Sequence, residues 1–201
     1  MELIPTQDEV LALLRRTGGL RSGYFEYPSG LRTTEYLQVA LTMRDFQASN
    51  ILSVALSRKL RSNRDVRALL PNISVVAPAT GGLPVAYGVA EALRARKVYW
   101  AEYDRPGEPL HFREFLELEP GEKVILVDDI FRTGSKLSQL KALVEQAGGE
   151  VIAMGVIVRQ PAPNAVDFAP IPFYSLATLE MTYIDPAEGD RLGLPLTKVR
   201  L

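Results

Sequence analysis

The sequence predicts an α/β fold in which a central, mostly parallel sheet carries helices on both faces, with smaller additions at either end. Three observations support this. Consecutive apolar runs such as ISVVAPA (73–79), VILV (124–127) and VIAMGVIV (151–158) read as strands buried on both sides. Amphipathic helical patterns alternate with them, as right-handed βαβ crossovers require. Finally, 201 residues at 47% hydrophobic content suffice for one substantial core and modest extensions.

Taken in order, residues 6–16 read as a helix. Thr6 or Asp8 can cap it, Val10, Leu11, Leu13 and Leu14 form its apolar face, and Gly18-Gly19 ends it. The aromatic segment GYFEYPSGLRTTEYLQVA (23–40) reads as short strands around a tight turn at Pro28-Ser29-Gly30. A second helix spans 45–61, where Phe46, Ile51, Val54, Ala55 and Leu60 recur at helical spacing. A buried strand at 73–82 ends in a glycine turn and leads into a helix over 83–96. KVYWAEYD (97–104) is the next strand, VILVDD (124–129) a third and EVIAMGVIV (150–158) a fourth. A helix from about 134 to 147 separates the last two and closes at Gly148-Gly149. DRPGEPLHFREF (104–115) is too polar and short for another βα unit and reads as a loop or hairpin over the sheet. Beyond Gln160 the chain is dotted with proline, with one strand-like piece at 172–181.

Composition narrows the function. A net charge of −1 offers no general attraction to nucleic acid or to an anionic membrane, so an anionic substrate must be held by local groups. The absence of cysteine excludes disulfides, thiolate metal sites and cysteine nucleophiles. The first residues carry acids and lack the basic start and apolar stretch of a signal peptide, and no apolar run approaches the roughly 18 residues of a membrane span. The expectation is a soluble, cytoplasmic protein.

The chemistry concentrates in VILVDDIFRTGSK (124–136), where an apolar strand runs into Asp128 and Asp129, then a small-residue turn, then a helix. Paired carboxylates accept hydrogen bonds from vicinal sugar hydroxyls. The free N–H groups of a turn and helix N-terminus take a phosphate. A second glycine turn, Ala79-Thr80-Gly81-Gly82, follows another strand at the same sheet edge, where ligands of open parallel sheets bind. Two anion cradles flanking a diacid imply a phosphorylated sugar bearing a second phosphate group. A P-loop is excluded because Gly134-Ser135-Lys136 has the wrong order, and no G-x-G-x-x-G follows a strand. The plainer alternatives are that the two acids merely cap the next helix and that the glycine turn is an ordinary βα connection.

The 124–136 segment resembles the phosphoribosyl pyrophosphate signature of the type I phosphoribosyltransferases. GYFEYPSGLRTTEYL, PATGGLPVA and WAEYDRPG…LHFREFLELEPGEKV are similar to the hood, the pyrophosphate loop and the flexible loop of that family's orotate branch. The resemblance covers most of residues 18–160. It implies a single domain over 1–201, with a hood at about 18–42, a core at about 45–160 and a C-terminal appendage at 161–201. It also implies that Asp128 and Asp129 hold the ribose, that Ile130, Phe131, Arg132, Thr133, Gly134 and Ser135 surround the 5′-phosphate, and that Ala79, Thr80, Gly81 and Gly82 hold pyrophosphate with Mg²⁺. The metal is then held mainly by substrate, with Asp128 or Asp129 assisting. By the same resemblance a homodimer transfers ribose 5-phosphate from phosphoribosyl pyrophosphate to a nucleobase, orotate, in pyrimidine biosynthesis.

Some positions depart from the orotate pattern. Tyr103 stands where a lysine is common, and Pro28 replaces another. Arg159-Gln160 takes the place of an Asp-Arg pair, which leaves Arg159 as a candidate reader of the base. His111 and Arg113 in the polar loop are candidate lid groups, Arg113 and Arg105 being able to supply the missing positive charge; the alternative for each is a solvated surface side chain. Phe25, Tyr27 and Tyr36 suit packing better than base stacking. Two other functions stay open: a regulatory protein that binds phosphoribosyl pyrophosphate without turnover, and a transferase for a purine or another base.

Overall fold

The computed structural model describes residues 4–105, 107–180, 182–191 and 193–199. Pro106 of the polar loop and Met181 at the end of the 172–181 strand-like piece lie outside the described residues. α1 (Gln7–Thr17) starts on a reciprocal cap. Glu9 N–H donates to Thr6 Oγ1 (3.3 Å), and Thr6 N–H donates to Glu9 Oε2 (2.8 Å). Gly18, at φ +80°, ends the helix in the left-handed conformation. β1 (Leu20–Glu26) and β2 (Arg32–Leu37) form an antiparallel hairpin whose turn closes through Gly30 N–H to Tyr27 O at 2.9 Å. The short helices α2 (Val39–Met43) and α4 (Arg64–Leu69), which the sequence pattern did not reveal, flank α3 (Phe46–Ser62).

The core alternates β3 (Ile73–Pro78), α5 (Gly82–Leu93), β4 (Lys97–Glu102), β5 (His111–Phe112), β6 (Lys123–Phe131), α6 (Ser135–Gln146), β7 (Glu150–Arg159) and β8 (Phe173–Thr178). These strands form one sheet in the order β5-β4-β3-β6-β7-β8, parallel except for β5, which pairs antiparallel with β4. The polar segment after β4 thus contains β5, the second strand of a hairpin. Side-chain alternation divides the core. Val75, Ala77, Ile125 and Val127 pack with α1, α3 and α5, whereas Val76, Val124, Leu126 and Met154 pack with Leu137, Leu140 and Val144 of α6. Helices on both faces follow from strands apolar on both faces, as expected.

The apolar face of α3 differs from its expected phase. Phe46 is 84% and Ile51 46% exposed, while Ala48, Leu52, Ala55, Leu56 and Leu60 are buried. The reason is close packing: Ser53 and Ser57 also lie inward, and Gly88 of α5 comes so near Ser53 that a Cβ there would collide with its side chain. Small residues mark this face where hydrophobicity alone pointed elsewhere. β6 likewise runs past the two acids to Phe131, because β7 continues to pair with it through Phe131 and Arg159.

The segment after residue 160, expected as an appendage, serves two layers. β8 is an edge strand of the central sheet. β9 (Tyr183–Ile184) and β10 (Leu196–Lys198), separated by α7 (Pro186–Asp190), join the N-terminal hairpin in a second sheet of order β10-β1-β2-β9. Among the described residues no helix is long and apolar enough to cross a membrane.

Candidate functional site

β3 and β6 are neighbours, but β3 leads through α5 to β4 on one side and β6 leads through α6 to β7 on the other. Their connections diverge at the carboxyl ends and open a crevice there. Asp128 and Asp129 enter it from β6. Asp128 is 2% exposed, and its Oδ1 accepts the Asp129 N–H at 2.8 Å. Burial, then the adjacent Asp129 charge, push the Asp128 carboxyl well above the usual carboxylate range, with Lys136 pulling the other way.

The turn after β3 faces this pair. A Cβ on Gly81 would lie 2.9 Å from Asp129 Oδ2, and one on Gly82 would lie 3.2 Å from Asp128 Oδ1 and 2.8 Å from Pro78. The glycines therefore permit an approach that any side chain would block. Ala79 N–H donates to Ala101 O at 2.7 Å and ties the turn to β4. On the β6 side, Gly134 adopts φ +84°, and as the N-cap residue it offers α6 no side-chain cap. Ser135 N–H meets only Thr133 Oγ1, at 3.3 Å.

These groups line one cleft of about 600 Å³. Its walls are Tyr36, Leu37, Gln38 and Ala40 from the hood side, Thr80 and Gly81, Tyr103 after β4, and the continuous stretch Asp128–Leu137. The structure thus brings together Asp128, Asp129, Ile130, Phe131, Arg132, Thr133, Gly134, Ser135, Thr80, Gly81 and Tyr103, with Ala79 and Gly82 immediately behind. Sequence reasoning passed over Leu37, Gln38 and Ala40 and assigned Tyr36 to packing; their approach to the cleft depends on tertiary structure. It also passed over Lys136, which was legible as the cation at the start of α6.

Arg105, His111, Arg113 and Arg159 lie outside the cleft lining. Arg113 is paired with Glu102, its Nη2 donating to Oε2 at 3.1 Å, and His111 Nε2 sits 3.6 Å from Asp104 Oδ1. Arg159 extends its guanidinium over Phe131 and Phe173, 5.6 and 5.8 Å from their ring centres, in a separate cavity of about 200 Å³ closed by residues 166–171. Gln160, its neighbour, is 3% exposed, and its Oε1 has no partner. It borders a space of about 30 Å³ beside Tyr27, Thr33 and Glu35, enough for a water.

No group of three or more His, Asp or Glu side chains placed to hold a metal ion occurs among the described residues. The donor set at the cleft is the Asp128–Asp129 pair. Hard carboxylate oxygens in that small number fit Mg²⁺, which keeps waters and is bound through one or two carboxylates plus phosphate oxygens of the substrate.

A diacid and two glycine turns meeting at the switch point of a parallel sheet suit a protein that handles a phosphorylated sugar. Residues 47–175 match the phosphoribosyl transferase domain. The orotate phosphoribosyltransferase of Novosphingobium aromaticivorans is 34% identical over 90% of this chain and 89% of its own length. That of Pelotomaculum thermopropionicum is 31% identical over 96% of both. Among solved structures, the orotate phosphoribosyltransferase of Aeropyrum pernix shares the fold with a TM-score of 0.67 at 22% identity, over 92% of this chain and 98% of that one. Adenine phosphoribosyltransferase of Thermoanaerobacter pseudethanolicus shares it with a TM-score of 0.58 at 16% identity, over 72% and 88%. The chain belongs to the phosphoribosyltransferase family, in its orotate branch.

Proposed function

We propose that this enzyme transfers the ribose 5-phosphate group of phosphoribosyl pyrophosphate to orotate, yielding orotidine monophosphate and pyrophosphate. The observation that carries the reading is the Asp128–Asp129 pair facing the Thr80–Gly82 turn across the β3–β6 crevice, with the uncapped start of α6 beside it. The carboxylates hold the ribose hydroxyls, and the amides of Thr133 to Ser135 hold the 5′-phosphate. The Thr80-Gly81-Gly82 backbone holds the diphosphate. The bond from the anomeric carbon to the pyrophosphate oxygen breaks as the base nitrogen bonds to that carbon and loses its proton to pyrophosphate or water, and positive charge grows on the ribose at the transition state. Asp128 and Asp129 stabilise that charge from below. Asp128 or Asp129 would help to hold Mg²⁺, which would supply neutralisation of the charge that develops on pyrophosphate.

His111 and Arg113 act from the β4–β5 hairpin, approaching the pyrophosphate when that hairpin folds over the cleft. A homodimer in the cytoplasm completes the proposal; family resemblance supports the first, and a cysteine-free chain suits the reducing compartment. Tyr103, lining the cleft in place of a lysine, favours a second reading: a sensor that binds phosphoribosyl pyrophosphate without turnover.

Pyrophosphate release with a panel of bases separates the two. Release with orotate supports transfer; binding of phosphoribosyl pyrophosphate with Mg²⁺, but no release with any base, supports the sensor. Asp129→Asn is expected to weaken that binding by about 1–3 kcal/mol, the scale of a lost charge-assisted hydrogen bond, as read by calorimetry. Unchanged affinity removes Asp129 from the site.

A further inference from the structure

α6 carries Ser135 and Gln139 on one face, a turn apart. Leu110, the residue before β5, is 3% exposed and shares a buried cluster with Leu137 and Leu140 of the same helix. Its N–H donates to Gln139 Oε1 at 2.8 Å, and Gln139 Nε2 donates to Ser135 Oγ at 3.3 Å. One side-chain amide therefore joins the β4–β5 hairpin to the turn that meets the 5′-phosphate.

The direction of this chain is fixed by donor chemistry. A backbone N–H can only donate, so the carbonyl end of Gln139 must face Leu110 and its NH₂ end must face Ser135. That NH₂ can only donate in turn, so Ser135 Oγ accepts and its own hydrogen points elsewhere. Among the described residues that hydrogen has no acceptor, and Ser135 lines the cleft. A phosphate oxygen is the acceptor it lacks. Donating to phosphate makes Oγ a better acceptor for Gln139, whose polarised carbonyl then holds Leu110 N–H more strongly. Bound phosphate also fixes the Ser135 and Gln139 rotamers, so less freedom is lost in holding Leu110. We propose that Gln139 is a positioning residue that couples the 5′-phosphate turn to the β4–β5 hairpin, so that bound phosphate steadies Leu110 and, one residue on, His111. The inference rests on the assignment of the 5′-phosphate to Thr133–Ser135 made above.

The test follows amide hydrogen exchange residue by residue by NMR, with and without saturating ribose 5-phosphate, a probe that lacks the diphosphate. In the wild type the probe is expected to slow exchange at Leu110 by about fivefold or more, the lower end of couplings between sites. Gln139→Leu is expected to bind the probe yet lose that slowing. A merely structural role would speed exchange at Leu110 equally in the free and bound variant and leave the slowing intact. That result overturns the proposal, as does a wild type whose Leu110 is unaffected by the probe. Ser135→Ala cuts the chain at its other end and decides the matter if the leucine variant does not fold. Leu110 should then exchange as in the wild type without the probe, because Gln139 still holds it, and should not slow with it; slowing that persists overturns the coupling. Failure of the underlying assignment is distinct: the probe then leaves the amides of Thr133–Ser135 exchanging as in the free protein, and this inference falls with it.

Discussion

At the scale of the residue, the Asp128 carboxyl shows a site built against stability. Burial and the charge of Asp129 raise its pKa above the ordinary value, so protonation favours the folded free protein. The sign follows by linkage. The stabilisation is complete below the ordinary carboxylate range and is lost as pH rises through the raised pKa. Asp128→Asn is therefore expected to raise the melting temperature of the free protein at pH 7, by about 2–4 °C for each kcal/mol relieved. The gain should shrink on acidification, and binding of phosphoribosyl pyrophosphate should be lost. Thermal scans across pH check this; a gain that persists at low pH would exclude titration of Asp128 as its cause. Both aspartates were legible in the sequence because two acids ending an apolar strand have few structural uses. Arg132 was legible only as part of a phosphate turn, since nothing local shows that its side chain leans on Leu37 and Tyr27.

At the scale of the element, the two βα turns work as a pair. Gly81 is needed for proximity: a methyl group there would lie 2.9 Å from Asp129 Oδ2 and 3.0 Å from its Cγ. Gly81→Ala is expected to displace that carboxylate and weaken binding of phosphoribosyl pyrophosphate by about 1–3 kcal/mol, matching Asp129→Asn. The melting temperature of the free protein should change little. Calorimetry and a thermal scan of the same preparation test both statements, and equal affinity would mean that the turn yields instead of the acid. The β4–β5 hairpin is anchored by buried Leu110, whose N–H donates to Gln139 Oε1 at 2.8 Å, while its charged side chains pair nearer the surface. Arg113 clasps Glu102 and lowers its pKa, yet such pairs are screened by water and are readily exchanged for a ligand. Arg113→Ala is accordingly expected to leave the melting temperature unchanged and to lower kcat by about tenfold to a hundredfold, with little change in the Michaelis constant for the base. A raised Michaelis constant with kcat intact would make Arg113 a binding group instead. Helix and strand types were readable here because their apolar periods differ. The phase of α3 was not, because serines and a partner glycine set its contact face.

At the scale of the whole molecule, the C-terminal quarter returns to the N-terminal hairpin. β10 pairs with Tyr24–Glu26 of β1 and β9 with Arg32–Thr33 of β2, so the hood is a sheet assembled from both ends of the chain. Ending the chain after residue 179 removes both strands and α7. The shortened protein is expected to keep its affinity for phosphoribosyl pyrophosphate, whose contacts lie on β3 and β6. Its Michaelis constant for the base should rise about tenfold or more, equivalent to about 1.4 kcal/mol of lost contact. Steady-state kinetics with each substrate varied in turn decides the matter, and an equal loss for both would show that the hood supports the entire cleft.

By itself the sequence determined the alternation of buried strands and amphipathic helices, the diacid, and the two glycine turns. Each of these is encoded by neighbours within a dozen residues, through periodicity and backbone freedom. Only the tertiary structure decided which arginine faces the cleft, that β8 edges the central sheet, and that both termini build the hood. The hood depends on pairings between segments more than a hundred residues apart, such as β1 with β10, and the other two outcomes on packing that no local pattern records.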